Sequence, residues 1–403
     1  MADLTLPMFA MDLIDVTFAF NKVITPEVKH NCSTEGKFFL NVSHAFGHSS
    51  YLPRAGEWIT PWPCAVAPGY EMPIYNPAYT KSFSEVTDQR ALELKQLINV
   101  GKEVVVFYSG GIDSTVPIVA LLKNLSQEEL SKVHLAISQD SIIENPNFYQ
   151  DYIQGKFNLI NSQENRYSDL INQGYVCVPA DLGDSMFGTI LGLKMYAQHG
   201  ELASDAHYST HKDLIIQYLN SVLAKKKQVL QPGDEQFGEM YYEKLVHNIN
   251  TSSVPIHTLH DFFWWVIFNI KYMHCALRPA ILYSAGDNCR DFFEHGIFNW
   301  YNTDDYQQWS MNNNNNGQKI QGTNQRSYKY AAKKYIYDFD KNDWYFKYKL
   351  KMPSMPTLRL RNYKKNFKDF DNRIGMNAEY DIIKFGDPGV NDYIISKLTN
   401  FNR

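Results

Sequence analysis

Residues 104–125 read VVVFYSGGIDSTVPIVALLKNL, and the order of residue types within this stretch decides the fold class. VVVFYS is a near-continuous apolar, β-branched run of strand length, the pattern of a strand covered on both faces in a parallel sheet. The turn SGGIDS follows, and TVPIVALLKNL then reads as a helix. Pro117 fits the first helical turn, where backbone N–H groups have no helical partner to lose. The unit is strand, glycine turn, helix.

The same alternation continues on both sides. SEVTDQRALELKQLINVG places apolar residues at helical spacing and stops at Gly101, a natural C-terminal position. Downstream, SQEELSK reads as a short capped turn, VHLAISQ as a second strand, YSDLINQG as a helix ending at Gly174, and YVCVPA as a third strand running into DLGDSMFG. Right-handed βαβ crossovers are the economical assembly. The expected fold is therefore α/β, a doubly wound, mostly parallel sheet with helical additions. Beyond Leu191 the chain reads as mainly helical, and the aromatic run HDFFWWVIFNIKYMHCALRPAILYSAG, with its His, Lys, Asn and Arg residues, reads as buried core helix rather than membrane span. The expected blocks are a small N-terminal module over 1–84, rich in Pro, Gly and aromatics; the nucleotide domain over 85–305; and a helical, basic and aromatic region over 306–403 that completes it.

Bulk properties exclude several classes. Of 403 residues, 44% are apolar and 20% charged, values that suggest neither wholesale disorder nor a membrane bundle. The net charge of −4 selects no partner, although a local basic patch is compatible with it. Cys32, Cys64, Cys177, Cys275 and Cys289 form no CxxC pair, which fits reduced thiols better than a disulfide frame or zinc knuckle. The acidic opening MADLTLPMFAMDLID does not read as a secretory signal, so a cytoplasmic location without membrane contact is expected.

The chemistry concentrates in Ser109, Gly110, Gly111, Asp113, Ser114 and Thr115. Between a buried strand and a helix, consecutive N–H groups and the positive helix terminus make an anion site. Paired glycines let backbone approach phosphate oxygens without a Cβ clash, and the hydroxyls add donors. Asp113 departs from a plain phosphate loop, because a carboxylate beside phosphates repels them unless it holds a divalent cation such as Mg²⁺. Asp181 and Asp184, three residues apart at the end of the third strand, either cap the next helix or join Asp113 in a metal cluster.

SGGIDST resembles the SGGxDS/T signature of the PP-loop ATP pyrophosphatases, and is unlike the lysine-bearing Walker loop. Residues 180–188, ADLGDSMFG, resemble in register the GEGSDELFG segment of the asparagine synthetase synthetase domain. Asp181 stands where that family has Glu and Asp184 at its Asp, both of which the resemblance assigns to Mg²⁺ and pyrophosphate; Leu182 replaces a Gly and Ser185 an acid. SYKYAAKKYIYDF followed by WYFKYKLKMPS is similar in layout to the family's later helix and R-x-K-x-G-F element, with Lys349 at the Arg position and Lys351 at the Lys, but without the Gly-Phe. The resemblance covers roughly residues 85–360. It implies ATP and Mg²⁺ as cofactors, metal contacts from Asp113, Asp181 and Asp184, and Lys351 and Asp113 as catalytic groups in adenylating a carboxylate or amino-acid substrate, then forming an amide. Glutamine-using members begin with Cys after the initiator Met, whereas this chain begins Met1, Ala2, Asp3. Ammonia, an amine or a separate donor subunit is then expected to supply nitrogen.

Two rival functions share the motif: modification of a nucleobase or nucleic acid through an adenylated carbonyl, and ATP binding without catalysis. The basic, aromatic stretch from Arg326 to Arg373 reads either as a nucleic-acid surface or, more commonly, as an exposed face of snorkelling side chains. His44 and His48 have metal-ligand spacing but flank Gly47 without a third ligand. Glu144 and Asn145 read as nucleotide or acceptor contacts, or as turn formers before Pro146.

Overall fold

The computed structural model describes residues 9–12, 54, 64–67, 72–162, 164–188, 207–225, 237–273, 275–276, 279, 291–314, 317–319 and 328–349. Near the N-terminus, β1 (Phe9–Asp12) and β2 (Cys64–Ala67) form a two-stranded parallel pair. His44 and His48 lie outside the described residues. The chain forms two compact units assembled from interleaved segments, where the sequence suggested consecutive blocks 1–84, 85–305 and 306–403. One takes in the described residues of Thr80–Gly183, Glu294–Trp309 and Asn316–Arg403; the other those of Met1–Tyr79, Asp184–Phe293 and Ser310–Asn315.

The first of these is an α/β unit. Helix α1 (Phe83–Asn99) starts at a capping box in which Ser82 and Glu85 satisfy each other's backbone N–H groups. Its buried stripe, Val86, Ala91, Leu94 and Ile98, follows the helical period. Strand β3 (Val104–Phe107) is followed by α2 (Ile112–Asn124) and α3 (Gln127–Leu130), the latter opened by a Ser126–Glu129 capping box. Then come β4 (Val133–Ile137), α4 (Gln139–Glu144), β5 (Asn158–Asn161), α5 (Tyr167–Asn172) and β6 (Val176–Val178). The sheet order is β5-β4-β3-β6, all parallel. Val104, Val105 and Val106 are wholly buried, as a strand covered on both faces requires. At about 1.5–3 kcal/mol for each fully buried aliphatic side chain, this run is a large local source of stability.

Two departures from the sequence expectations have physical reasons. Strand β5 carries Asn at both ends and only its last residue is buried; as a sheet edge it needs little apolar surface, so its pattern resembles a loop. Pro117 sits at the sixth position of α2 rather than in its first turn, because the helix begins at Ile112, inside the glycine motif. The proline thus leaves the carbonyl of Asp113, four residues back, without its helical donor.

At Gly183 the chain passes from β6 into α6 (Gly183–Phe187), and from Asp184 onward belongs to the second unit. That unit contains α7 (Lys212–Lys225), α8 (Phe237–Asn250) and α9 (Leu259–Trp265), the last continuing as a π-helix to Lys271. The aromatic run is core, as expected: Phe262, Phe263, Trp264, Trp265 and Phe268 are all buried. Arg54 lies 3.5 Å above the Tyr272 ring and donates to the Phe268 carbonyl. No helix among the described residues is long and apolar enough to cross a membrane.

The chain returns to the α/β unit at Glu294. Ile297 bridges Cys177 in parallel sense, and Phe298 and Trp300 donate to the Cys177 and Pro179 carbonyls, extending the sheet beyond β6. Arg90 of α1 fixes this stretch, stacking 3.5 Å from the Phe298 ring and donating to the Asn299 and Trp300 carbonyls. Helices α10 (Asp304–Asn312), α11 (Tyr330–Asp340) and α12 (Asp343–Tyr348) follow. Within the described part of the basic, aromatic stretch, Tyr335, Ile336, Tyr345, Lys329, Lys333 and Lys349 are buried. This part is two-faced: its buried rings draw Lys329, Lys333 and Lys349 into the core of the α/β unit, whereas Lys334, Lys341 and Lys347 keep the solvated face expected of alternating charged and aromatic residues.

Candidate functional site

Strand order in the sheet reverses between β3 and β6, the position where open α/β sheets place ligands beyond the carboxyl ends of their strands. Both sequence motifs lie there: Ser109–Thr115 leaves β3 and Ala180–Asp184 leaves β6. The exit of β4, on the other side of β3, adds α4 and Glu144.

The β3 turn is held by its own hydroxyls. Ser109 Oγ and Ser114 Oγ are 2.9 Å apart, the Ser109 amide donates to Ser114 Oγ, and Ser114 and Thr115 both donate to the Gly111 carbonyl. Gly111 caps α2 with no side-chain hydrogen bond, so the first-turn amides are left without the usual cap acceptor. Gly110 has φ +77°, and a Cβ there would lie 2.8 Å from Glu144 Cβ and closer still to the Ser141 carbonyl. Only glycine satisfies both the backbone conformation and the approach of α4.

Asp113 stands in the first turn of α2. Its Oδ2 accepts from Lys329, which is wholly buried and sits at the N-cap of α11 in the left-handed region, φ 59°. Burial lowers the Lys329 pKa below the usual lysine range, opposed by the charge and hydrogen bond of Asp113. Asp113 Oδ1 is buried with no hydrogen-bond partner. Gly183 closes over it, for a Cβ there would lie 2.5 Å from Asp113 Cγ. The motif at the end of β6 thus rests directly on the Asp113 carboxylate. The Tyr301 hydroxyl donates to the Asp113 carbonyl at 3.0 Å, filling the vacancy left by Pro117. Burial, and secondarily the Asp113 charge, push the Tyr301 pKa well above the tyrosine range, so the phenol is a neutral donor.

A second ion pair faces the same turn. Lys349 Nζ lies 3.0 Å from Glu144 Oε1 and 3.3 Å from the Glu144 carbonyl, both groups buried. Glu144 Oε1 would be 3.4 Å from a Cβ at Gly111, so its carboxylate lies against the glycine turn. Two lysines and two carboxylates therefore surround one turn with balanced formal charge.

Among the residues named from sequence, Ser109, Gly110, Gly111, Asp113, Ser114 and Thr115 form one continuous turn. Asp181 follows β6 and Asp184 lies in the first turn of α6, both half-buried. The expected metal cluster of Asp113, Asp181 and Asp184 is not assembled: among the described residues no three His, Cys, Asp or Glu side chains are grouped to hold a metal ion. Asp113 instead has an ammonium partner. Lys351 lies outside the described residues. Sequence reasoning missed Lys329 and the function of Tyr301. A lysine flanked by tyrosines in an otherwise core-forming stretch was the available signal for the first; nothing local signalled the second. No protein-family model matches this chain, and neither curated proteins nor solved structures give a match.

Proposed function

We propose that the chain is an ATP pyrophosphatase of PP-loop type that adenylates a carboxylate and passes the acyl group to ammonia or an amine, as an amide-forming ligase. The observation that carries this reading is the turn Ser109–Ser114 at the sheet's switch point, an uncapped helix start flanked by buried Lys329 and Lys349. The arrangement suits a polyphosphate: amides and serine hydroxyls bind oxygens and a glycine pair allows close approach, while Lys329 and Lys349 neutralise the two carboxylates beside the turn that would otherwise repel it.

In this reading a carboxylate oxygen of the acceptor attacks the α-phosphorus of ATP. The new O–P bond forms as the bond to the bridging oxygen breaks, and pyrophosphate leaves with the electron pair. The turn holds the leaving group, and Lys329 offsets the Asp113 carboxylate beside it. An amine then attacks the acyl carbon, AMP departs, and the amine proton passes to solvent. Mg²⁺ would accompany ATP and offset its charge. Asp113, whose Oδ1 is buried without a donor, is the side chain suited to meet it, with Asp181 and Asp184 as further candidates. Those three are not grouped as a metal site, and no step is derived through the metal.

The test is pyrophosphate release from ATP and Mg²⁺ by the full chain and by Asp113→Asn, with amino acids, ammonium and nucleic acids as acceptors. Release that requires both an amino acid and Asp113 supports the ligase. Release only with nucleic acid points to base modification, and ATP binding without release points to a non-catalytic nucleotide protein.

A further inference from the structure

We infer that Tyr301 is a positioning residue for the phosphate turn, acting through the gap that Pro117 makes in α2. Proline has no N–H, and its ring crowds the carbonyl four residues back, so Pro117 removes the helical donor to the Asp113 carbonyl. The carbonyl belongs to the residue whose carboxylate pairs with Lys329 beneath Gly183. A part-buried carbonyl without a donor is costly, and the Tyr301 hydroxyl at 3.0 Å supplies one from outside the helix.

The phenol is itself fixed. The Tyr301 ring lies edge-on to Tyr306, 4.9 Å between centroids; the Tyr306 hydroxyl donates to Thr87 of α1 and accepts from the Trp300 indole. Tyr301 and Tyr306 are wholly buried. The first turn of α2 is therefore referenced through Tyr301 to α1 and to the strand-like segment beside β6. An unbroken helix would fix the Asp113 carbonyl by its own ladder alone. Here a residue 188 positions away decides where the backbone of Asp113 sits. The Tyr301 hydroxyl meets the turn at that backbone carbonyl, so it positions the turn and has no part in the chemistry.

This inference rests on the phosphate reading of the turn, and a four-protein cycle separates the two. Tyr301→Phe removes the donor; Pro117→Ala returns the helical N–H. The full chain is prepared as wild type, each single variant and the double, and Mg²⁺-pyrophosphate affinity and thermal unfolding are measured for all four. Tyr301→Phe is expected to weaken pyrophosphate binding roughly tenfold and lower the unfolding midpoint by roughly 2–6 °C, because the carbonyl is orphaned. Pro117→Ala alone should leave affinity within about twofold, and the double variant should return close to wild type, because the restored amide makes the phenol redundant. A double variant as impaired as Tyr301→Phe, or rescue of the midpoint with affinity never having changed, overturns the positioning function. Rescue of the midpoint in a protein whose wild type binds neither pyrophosphate nor ATP defeats the phosphate reading, and reduces the Tyr301–Pro117 link to a fold contact.

Discussion

Gly183→Ala tests the contact between the two motifs at the heart of the site. The glycine is there for space. Its added Cβ would lie 2.5 Å from Asp113 Cγ and 3.0 Å from Asp113 Cβ, where ordinary contact begins near 3.4 Å. The shortfall approaches 1 Å, and Asp113 is poorly placed to yield it: Oδ2 is tied to buried Lys329 and the backbone to Tyr301. Either the ion pair breaks or the segment after β6 shifts. Overpacking of this kind costs about 1–3 kcal/mol, a fall of roughly 2–12 °C in unfolding midpoint for a unit of this size. Because the displaced group is the carboxylate of the turn proposed to bind phosphate, pyrophosphate affinity should fall about tenfold or more. Calorimetric titration of the full chain with Mg²⁺-pyrophosphate, beside differential scanning, reads both quantities. Gly155→Ala, where an added Cβ meets nothing within 4 Å but φ is +74°, is the control for strain without contact: it should lower the midpoint and leave affinity unchanged. A Gly183→Ala protein with wild-type midpoint and affinity would refute the claim that the end of β6 bears on Asp113.

Three other outcomes follow from the same geometry. Lys329→Met should cost about 2–3 kcal/mol in denaturant unfolding, less than a fully enclosed pair because Asp113 keeps 22% of its side-chain exposure, and adding Asp113→Asn should recover at least half; strictly additive losses would mean that the pair is not coupled. Burial, aided by the Asp151 charge and opposed by the Asn342 amide, pushes the Asp340 pKa up to about 6, so the folded state binds the proton more tightly than the unfolded chain. This group therefore lowers stability as pH rises from about 4 through 6; Asp340→Asn should raise the midpoint at pH 7.5 by a few degrees and leave it unchanged near pH 4, and equal shifts at both values would contradict the assignment. Burial in the sheet pushes the Cys177 thiol up to about 12, so iodoacetamide at pH 8 should label it only in denaturant, as peptide mass spectrometry would show.

The fold class was legible because its signals are local. An apolar run of β-branched residues that ends in Ser109-Gly110-Gly111 and opens a helix has few other assemblies, and Ser82, Ser126 and the glycines at 101 and 174 mark their element ends within a few residues. The glycine turn and its hydroxyl bonding were legible for the same reason: its hydroxyls, amides and glycines all lie within seven residues. Strand β5 was not, since a sheet edge makes small demands on sequence. The tertiary structure alone decided what surrounds the turn. Lys329 and Lys349 reach Asp113 and Glu144 across more than 200 residues, and each reads locally as one more exposed cation in a basic stretch. It decided likewise that Gly183 is needed for clearance and that a tyrosine 188 residues away completes a helix which Pro117 interrupts. Composition and periodicity report what a segment buries; they carry no record of which distant partner satisfies a buried charge or a vacant carbonyl, because that partner is fixed by the packing of the whole unit.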